Sequence, residues 1–387
     1  MVIIRFIICL LQQTISVIGF HIDVILAHFD MNPTLYYYTG DRENNFKFNS
    51  ILYLPSNGEV HIDKNDFIEL KSIGSFCADF DGDGINELII PSTNFAKSGN
   101  NHFYQIIVTA CKPTERRGIQ FAFNLNSAQI PAITCADFIN DGRAVIVLVE
   151  KESVSNNVYT FQTKSIATSE NPLVVDYRLT LQGNPDKILS GDFDGDGLID
   201  LLVVAKQAST IFWNRGTRSG SIFSDVAKTV VSQIDSKCTV VRMGDFDGDG
   251  VADIVYDKAG DHSLYVLKNK GRRTFSSAAA ISLSDAWDMD DTRKDDDKFV
   301  VDGADFNGDG KDDLLVSKAM FKHPKHKSYY RFSTNYDYWL RSDGSTFSIV
   351  SSRSWSEKDD NVYRWYIAGD YNGDGYQEIL RLGTDDK

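Results

Sequence analysis

A short acidic segment recurs six times along the chain and carries most of the side chains that could do chemistry. Its third copy reads DFDGDGLID, from Asp192 to Asp200. Counted from the first aspartate, oxygen-bearing side chains stand at positions 1, 3, 5 and 9, and glycines stand at positions 4 and 6. Odd positions of a tightly curled chain point inward, and glycine permits the backbone angles of such a curl. Carboxylates brought this close together repel one another unless a cation lies between them, and Ca²⁺ prefers such hard oxygen donors.

We therefore predict about five Ca²⁺ sites, one in each copy that keeps the whole donor set. The side-chain ligands of these copies are Asp79, Asp81, Asp83 and Glu87; Asp192, Asp194, Asp196 and Asp200; Asp245, Asp247, Asp249 and Asp253; Asp305, Asn307, Asp309 and Asp313; and Asp370, Asn372, Asp374 and Glu378. The backbone carbonyls at position 7 would add to the coordination, and they belong to Ile85, Leu198, Val251, Lys311 and Tyr376. Tight turns rich in Asp, Asn and Gly are the alternative. Five copies with the same four offsets favour the metal.

Two further comparisons limit this prediction. The copy that starts at Asp137 has Ile139 at position 3 and Val145 at position 9, so we predict no metal there. An EF-hand would need a glutamate at position 12 followed by a helix. Position 12 is Val203 in the third copy and Tyr256 in the fourth, each within a strand-like run. The spacing therefore excludes an EF-hand.

Each acidic segment lies between runs that are typical of β-strands. In the third repeat, Lys187–Ser190 precedes the loop, Leu201–Val204 follows it, and Ile211–Trp213 forms a third run before a glycine-rich turn. A phenylalanine then opens a fourth run, at Phe46, Phe223, Phe275 and Phe347. Alternating and β-branched residues between Gly and Asp turns indicate strands. Leading aspartates about 50 to 65 residues apart fit a β-propeller built from four-stranded blades.

The two ends of the chain predict how such a propeller closes. Ile22–Leu26, Thr34–Tyr38 and Ile51–Leu54 read as second, third and fourth strands that lack a first strand. The last repeat supplies a first strand and then Glu378–Leu380. We therefore predict an all-β propeller of six or seven four-stranded antiparallel blades, closed by N-terminal strands that complete the C-terminal blade. Closure would remove exposed sheet edges.

Composition and charge limit the possible partners. The chain has 387 residues, a formal charge of −14 and 42% hydrophobic residues, so it can bury a core but lacks the basic surface that nucleic acid needs. Residues 1–19 resemble a secretory signal peptide, with an apolar stretch from Val2 to Leu11, and residues 20–387 form the predicted propeller domain. No later stretch has 18 consecutive apolar residues, so we expect a secreted protein without a membrane span in the mature chain. Disulfides and buried thiols remain equally open for Cys77, Cys111, Cys135 and Cys238.

The loop pattern D-[FY]-[DN]-G-D-G-x-x-[DE] followed by an apolar strand resembles the FG-GAP/VCBS repeat. That family, which includes the head of integrin α subunits, forms β-propellers that usually have seven blades. The resemblance covers nearly the whole mature chain, and it implies that the loops between the first and second strands of the blades bind mainly structural Ca²⁺. The loop at Asp137 departs from the pattern.

The sequence shows no catalytic signature. It contains no GxSxG, no HExxH and no glycine-rich phosphate loop. We therefore expect a binding or adhesion module for glycans or cell-surface proteins. A lyase-type or phospholipase-like enzyme on the same repeat and a structural part of a larger extracellular complex are the alternatives. Candidate glycan contacts are the basic run Phe321–Lys327 and the aromatic residues between Tyr329 and Tyr366, although core packing would also explain the aromatic residues.

Overall fold

The computed structural model describes segments from every predicted repeat but leaves out most of the acidic loops that begin at Asp79 and Asp370. The described residues are 6–12, 22–28, 34–40, 46–53, 77–79, 87–94, 103–109, 120–125, 132–151, 156–163, 173–181, 185–206, 208–217, 222–238, 241–258, 261–281, 283, 298–322, 331–355, 364–369 and 378–383. Within them all regular structure is β-strand, and no helix is long and apolar enough to cross a membrane.

The described strands form antiparallel sheets in which each strand pairs with its neighbour in sequence. The first three sheets comprise β1 (Phe6–Gln12), β2 (Ile22–His28), β3 (Thr34–Gly40) and β4 (Phe46–Tyr53); β5 (Cys77–Ala78), β6 (Glu87–Asn94), β7 (Phe103–Thr109) and β8 (Gln120–Leu125); and β9 (Ala132–Ala136), β10 (Val145–Lys151), β11 (Asn156–Thr163) and β12 (Leu173–Leu181). The next three comprise β13 (Pro185–Gly191), β14 (Asp200–Ala205), β15 (Ser209–Asn214) and β16 (Phe223–Val231); β17 (Val241–Gly244), β18 (Asp253–Lys258), β19 (Asp261–Leu267) and β20 (Ala279–Ile281); and β21 (Lys298–Ala304), β22 (Asp313–Lys322), β23 (Arg331–Ser342) and β24 (Phe347–Trp355). The strands β25 (Arg364–Gly369) and β26 (Glu378–Gly383) form a two-stranded sheet. The predicted all-β architecture of four-stranded antiparallel sheets is therefore confirmed.

The chain divides into two compact units. Unit 1 comprises residues 1–191, 197–236 and 371–374, and unit 2 comprises residues 192–196, 237–370 and 375–387. Within unit 1 the first strands of consecutive sheets, β1, β5, β9 and β13, lie next to one another in that order, and within unit 2 the same is true of β17, β21 and β25. Every first strand except β1 leads into an acidic segment, so this arrangement brings consecutive acidic loops of a unit close together.

The phenylalanine at position 2 of the loops anchors them in the cores. Phe138, Phe193 and Phe246 are fully buried. In unit 1, the ring of Phe138 meets Phe223 edge to face, with 5.2 Å between the ring centroids. In unit 2, Phe246 meets Phe347 in the same way at 5.4 Å. In these three loops the buried ring fixes one end of the loop to the core, which explains the apolar residue between two acids.

Two sequence predictions differ from the structure. Phe275 does not open the fourth strand of its repeat but forms an isolated bridge with Asn269, and β20 begins at Ala279. Among the described strands, the predicted completion of the C-terminal blade by N-terminal strands is not observed either. Residues Phe6–Gln12, inside the predicted signal peptide, pair in full antiparallel register with Ile22–His28 and supply the missing first strand. An apolar run of this length has the same backbone and side-chain properties as a buried strand, so the sequence pattern did not separate the two.

Candidate metal centre

The acidic loops that the structure describes connect the first and second strands of their sheets and share one backbone curl. In the Asp245 loop (residues 245–253), Gly248 and Gly250 have φ angles of 78° and 82°. The Asp192 loop (192–200) and the Asp305 loop (305–313) repeat these angles within a few degrees at their own positions 4 and 6. Such left-handed angles are costly for residues with a Cβ atom. The two glycines of these three loops therefore allow the curl without strain.

The first aspartate of each loop holds the curl in place. In the Asp245 loop, Oδ1 of Asp245 accepts hydrogen bonds from the backbone N of Gly248 at 2.7 Å and of Asp249 at 3.0 Å, and Oδ2 accepts one from Gly250 at 2.8 Å. Asp305 accepts the corresponding three bonds in its own loop. Each carboxylate oxygen can accept two bonds, so the three backbone donors leave one acceptor site, on Oδ2 of Asp245, for a cation.

The curl brings the predicted ligands together. One carboxylate oxygen from each of Asp245, Asp247 and Asp249 lies within 4.8 Å of the other two. Within the Asp192 loop the same holds for Asp192, Asp194 and Asp200. Negative charges at such distances destabilise one another strongly when they are partly shielded from water. The structure therefore groups the carboxylates at the spacing that a cation between them would require.

Buried oxygen atoms without partners indicate where that cation would bind. Asp253 at position 9 is fully buried, and its Oδ2 accepts no hydrogen bond from any described residue. The buried Oδ1 atoms of Asp247 and Asp194 also accept none from the described chain. An unpaired charged oxygen in the interior is costly. All three atoms belong to predicted ligands, so the donor set fits a hard divalent cation such as Ca²⁺.

The pKa shifts of the carboxylates in the Asp245 loop agree with this interpretation. The pKa of Asp253 is raised to about 7, first by burial and then by the negative charges of Asp247 and Asp249. The backbone N–H of Asn269 and the charge of Lys268 oppose this rise. The pKa of Asp247 is raised as well, again first by burial. A bound cation would remove the cause of both shifts, because it would neutralise the charge that burial disfavours.

Basic side chains hold the second oxygen of the position-3 aspartates. Nε of Arg273 donates to Oδ2 of Asp194 at 2.8 Å, and Nζ of Lys268 lies 3.8 Å from Oδ2 of Asp247. In both aspartates Oδ1 is left without a hydrogen-bond partner among the described residues. Sequence reasoning missed both residues, because they belong to the hairpin after β19 and contact the loops only through the tertiary fold.

The position-9 aspartates also have a structural partner that sequence reasoning missed. Asp200, Asp253 and Asp313 are buried, and Oδ1 of each accepts a backbone N–H, from Asn214, Asn269 and Ser342 respectively. Each partner stands two residues before a glycine whose backbone N donates back to its side-chain oxygen. This [NS]-x-G pattern near the end of the third strand, at the same place in three repeats, is the signal that could have revealed it.

The Asp305 loop has the same curl but a different use of its ligands. Nδ2 of Asn307 lies 3.4 Å from Oδ2 of Asp313, so the amide contacts the oxygen that is unpartnered in Asp253. Nζ of Lys311 lies 3.8 Å from Oδ1 of Asp309. Position 3 of this loop is the neutral Asn307, whereas position 3 of the Asp245 loop is the charged Asp247. Because the Asp305 loop has one carboxylate fewer, we expect it to bind a cation more weakly than the Asp245 loop.

The Asp137 loop keeps the curl without the ligands. Asn140 takes the place of the first glycine with a φ of 51°, a conformation that Asn adopts more readily than most residues. Asp137 still accepts backbone bonds from Asp141 and Gly142. Ile139 packs against the core, and Val145 is buried in it. Apolar groups thus occupy the two positions where the complete loops place carboxylates.

The remaining predicted ligands lie largely outside the described residues. This is true of Asp81, Asp83, Ile85, Asp370, Asn372, Asp374 and Tyr376, and of the side chains of Glu87 and Glu378. Asp79 is half-buried, and its carbonyl accepts a hydrogen bond from the backbone N of Ala144. Asp196 and the carbonyls of Leu198, Val251 and Lys311 remain predicted ligands. The basic run from Phe321 and most of the candidate glycan-stacking side chains also fall outside the description.

Comparison with known proteins supports the repeat and the fold. Residues 192–256 match the model of the FG-GAP-like repeat, which confirms the resemblance for this segment. No curated protein matches the chain. Among solved structures, an Agrocybe aegerita lectin, described as specifically recognising non-reducing terminal N-acetylglucosamine, is 16% identical. That match covers 91% of this chain and 84% of the lectin, with a TM-score of 0.51, and it shows a shared β-propeller-like fold.

Two weaker structural matches are to rhamnogalacturonan lyases. The exotype lyase YesX is 7% identical with a TM-score of 0.46, over 90% of this chain and 66% of the lyase. The lyase YesW is 12% identical with a TM-score of 0.42, over 96% of this chain and 72% of the lyase.

Proposed function

We propose that this FG-GAP-like repeat protein is a secreted β-propeller, stabilised by Ca²⁺ in its acidic loops, that binds glycans or cell-surface proteins. The observation that carries the calcium part is the fully buried Asp253, whose Oδ2 accepts no hydrogen bond from the described residues. The same loop holds the clustered carboxylates of Asp245, Asp247 and Asp249. A structural cation would join the two ends of the loop, and hence β17 and β18. Metal binding of this kind contributes directly to folding, because the site does not exist in the unfolded chain.

The glycan part is supported by the likeness to the lectin, which covers most of both chains. The absence of a catalytic motif in the sequence favours binding over bond cleavage. Many acidic residues of the chain lie in the loops that we propose to bind Ca²⁺. Bound Ca²⁺ would neutralise much of this negative charge, so the acidity of the chain does not require a basic partner. The ligand-binding residues would lie on loops, since loops carried by a rigid scaffold are where binding sites most often occur.

The propeller part is supported by the neighbouring first strands within each unit and by the sheets that follow one another in sequence. In a propeller, the first strands of consecutive blades line the central channel. Six described four-stranded sheets and a two-stranded one agree with six or seven blades. The secreted part rests on the resemblance of residues 1–19 to a signal peptide, a segment that also contains β1. Sequencing the N-terminus of the exported protein tests whether this segment is removed.

The test of the binding function is a glycan array probed with the full chain in the presence of Ca²⁺ and after chelation with EDTA. We expect sugar binding that is lost, or weakened together with thermal stability, when the cation is removed. A parallel digestion of plant and bacterial polysaccharides separates binding from catalysis. Bond cleavage in that digestion together with a blank array would overturn the binding function. A melting temperature unchanged by EDTA would overturn the structural role of Ca²⁺.

A further inference from the structure

Consecutive acidic loops in unit 2 are hydrogen-bonded to each other through their backbones. The backbone N of Ala252, at position 8 of the Asp245 loop, donates to the carbonyl of Asp192 at 3.0 Å. The backbone N of Asp312, at position 8 of the Asp305 loop, donates to the carbonyl of Asp245 at 2.8 Å. In both pairs, the residue before one predicted ligand bonds to the first predicted ligand of the preceding loop. A shift of either loop is therefore transmitted to its neighbour.

Asn269 adds a side-chain link between the Asp192 and Asp245 loops. Its Nδ2 donates to the carbonyl of Phe193 at 2.6 Å and to the carbonyl of Ala252 at 3.0 Å. Its backbone N donates to Oδ1 of Asp253 at 2.6 Å, which leaves Oδ2 as the oxygen that would face the cation. Phe193 lies between the predicted ligands Asp192 and Asp194. One buried residue thus fixes a ligand of its own loop and the backbone between two ligands of the preceding loop.

Ser342 repeats this geometry one sheet later. Its backbone N donates to Oδ1 of Asp313 at 2.9 Å, and its Oγ donates to the carbonyl of Phe246 at 2.5 Å. Phe246 lies between Asp245 and Asp247, so Ser342 links the Asp305 loop to the ligands of the Asp245 loop. Asn269 and Ser342 thus both donate a side-chain hydrogen bond to the carbonyl at position 2 of the preceding loop.

Asn214 in unit 1 provides an internal comparison. Its backbone N donates to Oδ1 of Asp200, and its Nδ2 donates to the carbonyls of Ile199 and Phe138. Phe138 belongs to the Asp137 loop, which lacks the carboxylates at positions 3 and 9. The contact of Asn214 therefore reaches a loop with no predicted cation, whereas Asn269 and Ser342 each connect two loops that have one.

We propose that Asn269 and Ser342 are positioning residues that couple cation binding in consecutive loops, so that filling one loop raises the affinity of the next. This inference rests on the proposed binding of Ca²⁺. A cation held by Oδ2 of Asp253 fixes that carboxylate, and the fixed carboxylate restrains Asn269. The restrained amide in turn holds the backbone of Phe193 in the curl that the Asp192 loop needs. A second cation that binds the Asp192 loop then loses less free energy in ordering that loop. Binding at either loop therefore raises the affinity of the other by the same factor.

The experiment is a calorimetric Ca²⁺ titration of the full chain for the wild type, Asn269→Ala, Asn269→Ser and the matched control Asn214→Ala. We expect Asn269→Ala to flatten the binding curve and to weaken the later binding steps by about fivefold or more, the lower end of common allosteric couplings. Asn269→Ser should restore part of the steepness, because serine performs this role at position 342. Asn214→Ala removes an equivalent set of side-chain hydrogen bonds, including the one to Ile199 in the Asp192 loop. It should lower the affinity of that loop at most, and leave the steepness of the curve unchanged.

The outcomes separate the two proposals. Calcium binding with the same curve shape for all four proteins would refute the coupling and leave the calcium sites intact. Equal flattening by Asn214→Ala and Asn269→Ala would also refute it, because a general loss of stability would then explain both. No calcium binding by the folded wild type would refute the calcium sites themselves, and the coupling with them. Circular dichroism in EDTA establishes that each variant is folded, and Asn269→Ser serves as the test if Asn269→Ala is not.

Discussion

The buried carboxylate of Asp253 gives a prediction in which one substitution has opposite effects with and without calcium. Asn is nearly isosteric with Asp, and in Asp253→Asn the side-chain oxygen can still accept the hydrogen bond from the backbone N of Asn269. The substitution removes the negative charge on an atom that is buried and unpartnered in the metal-free chain. We therefore expect Asp253→Asn to stabilise the protein in EDTA and to destabilise it in Ca²⁺.

The pKa shift sets the size of the effect in EDTA. The pKa of Asp253 rises from 3.8 to about 7 on folding. A shift of roughly three units corresponds to about 4 kcal/mol between the two protonation states, which is an upper limit because the loop can relax. A carboxyl whose pKa is raised by folding stabilises the protein fully below the unfolded pKa, and this stability is lost as the pH rises through the folded pKa. The metal-free wild type should therefore lose stability between about pH 4 and pH 7, and Asp253→Asn should reduce that loss.

The assay is urea unfolding at pH 8, followed by circular dichroism, in EDTA and in excess Ca²⁺. In Ca²⁺ the variant lacks a carboxylate ligand. If its site stays empty at a free Ca²⁺ concentration of 100 times the wild-type Kd, the variant loses about 2.7 kcal/mol of binding-derived stability. Asp186→Asn, which removes a half-buried charge on β13 outside the loops, is the control and should have the same effect in both buffers. The reasoning is refuted if Asp253→Asn changes the free energy of unfolding in the same direction in both.

Three further predictions concern the loops and the thiols. Asp137→Asn should lower the free energy of unfolding equally in Ca²⁺ and in EDTA, whereas Asp245→Asn should lower it more in Ca²⁺. If urea unfolding shows the same calcium dependence for both variants, the placement of a cation in the Asp245 loop and none in the Asp137 loop is contradicted. Gly250→Ala should destabilise by about 1–2 kcal/mol, since φ is 82° and no atom lies within 4 Å of an added Cβ; an unchanged urea midpoint would count against the required curl. Cys135, with its pKa raised to about 12 by burial, and the buried Cys238 should resist iodoacetamide until the chain unfolds, as mass spectrometry would show; rapid labelling of the native protein would contradict their burial.

The local features of the loops were readable from the sequence because they depend on residues that are close in the chain. The glycines at positions 4 and 6, the first aspartate that accepts backbone hydrogen bonds, and the strands on both sides all act within one nine-residue segment and its flanks. The structure has Lys187–Ser190 within β13, Leu201–Val204 within β14 and Ile211–Trp213 within β15, as predicted. The curl of the Asp137 loop survived the loss of two carboxylates because Asp137 and a left-handed Asn140 suffice for it.

The contacts between repeats were decided only by the tertiary structure. Asn269 and Phe193 are 76 residues apart in sequence, and no local preference predicts their hydrogen bond. The same is true of Arg273 and Asp194, which meet because consecutive loops of unit 2 lie together. The sequence by itself determined which side chains can surround a cation, because that depends on short-range curl and residue type. Which oxygen of each carboxylate is left for the cation depends on donors from distant strands, and only the packing of the sheets brings those donors to the loops.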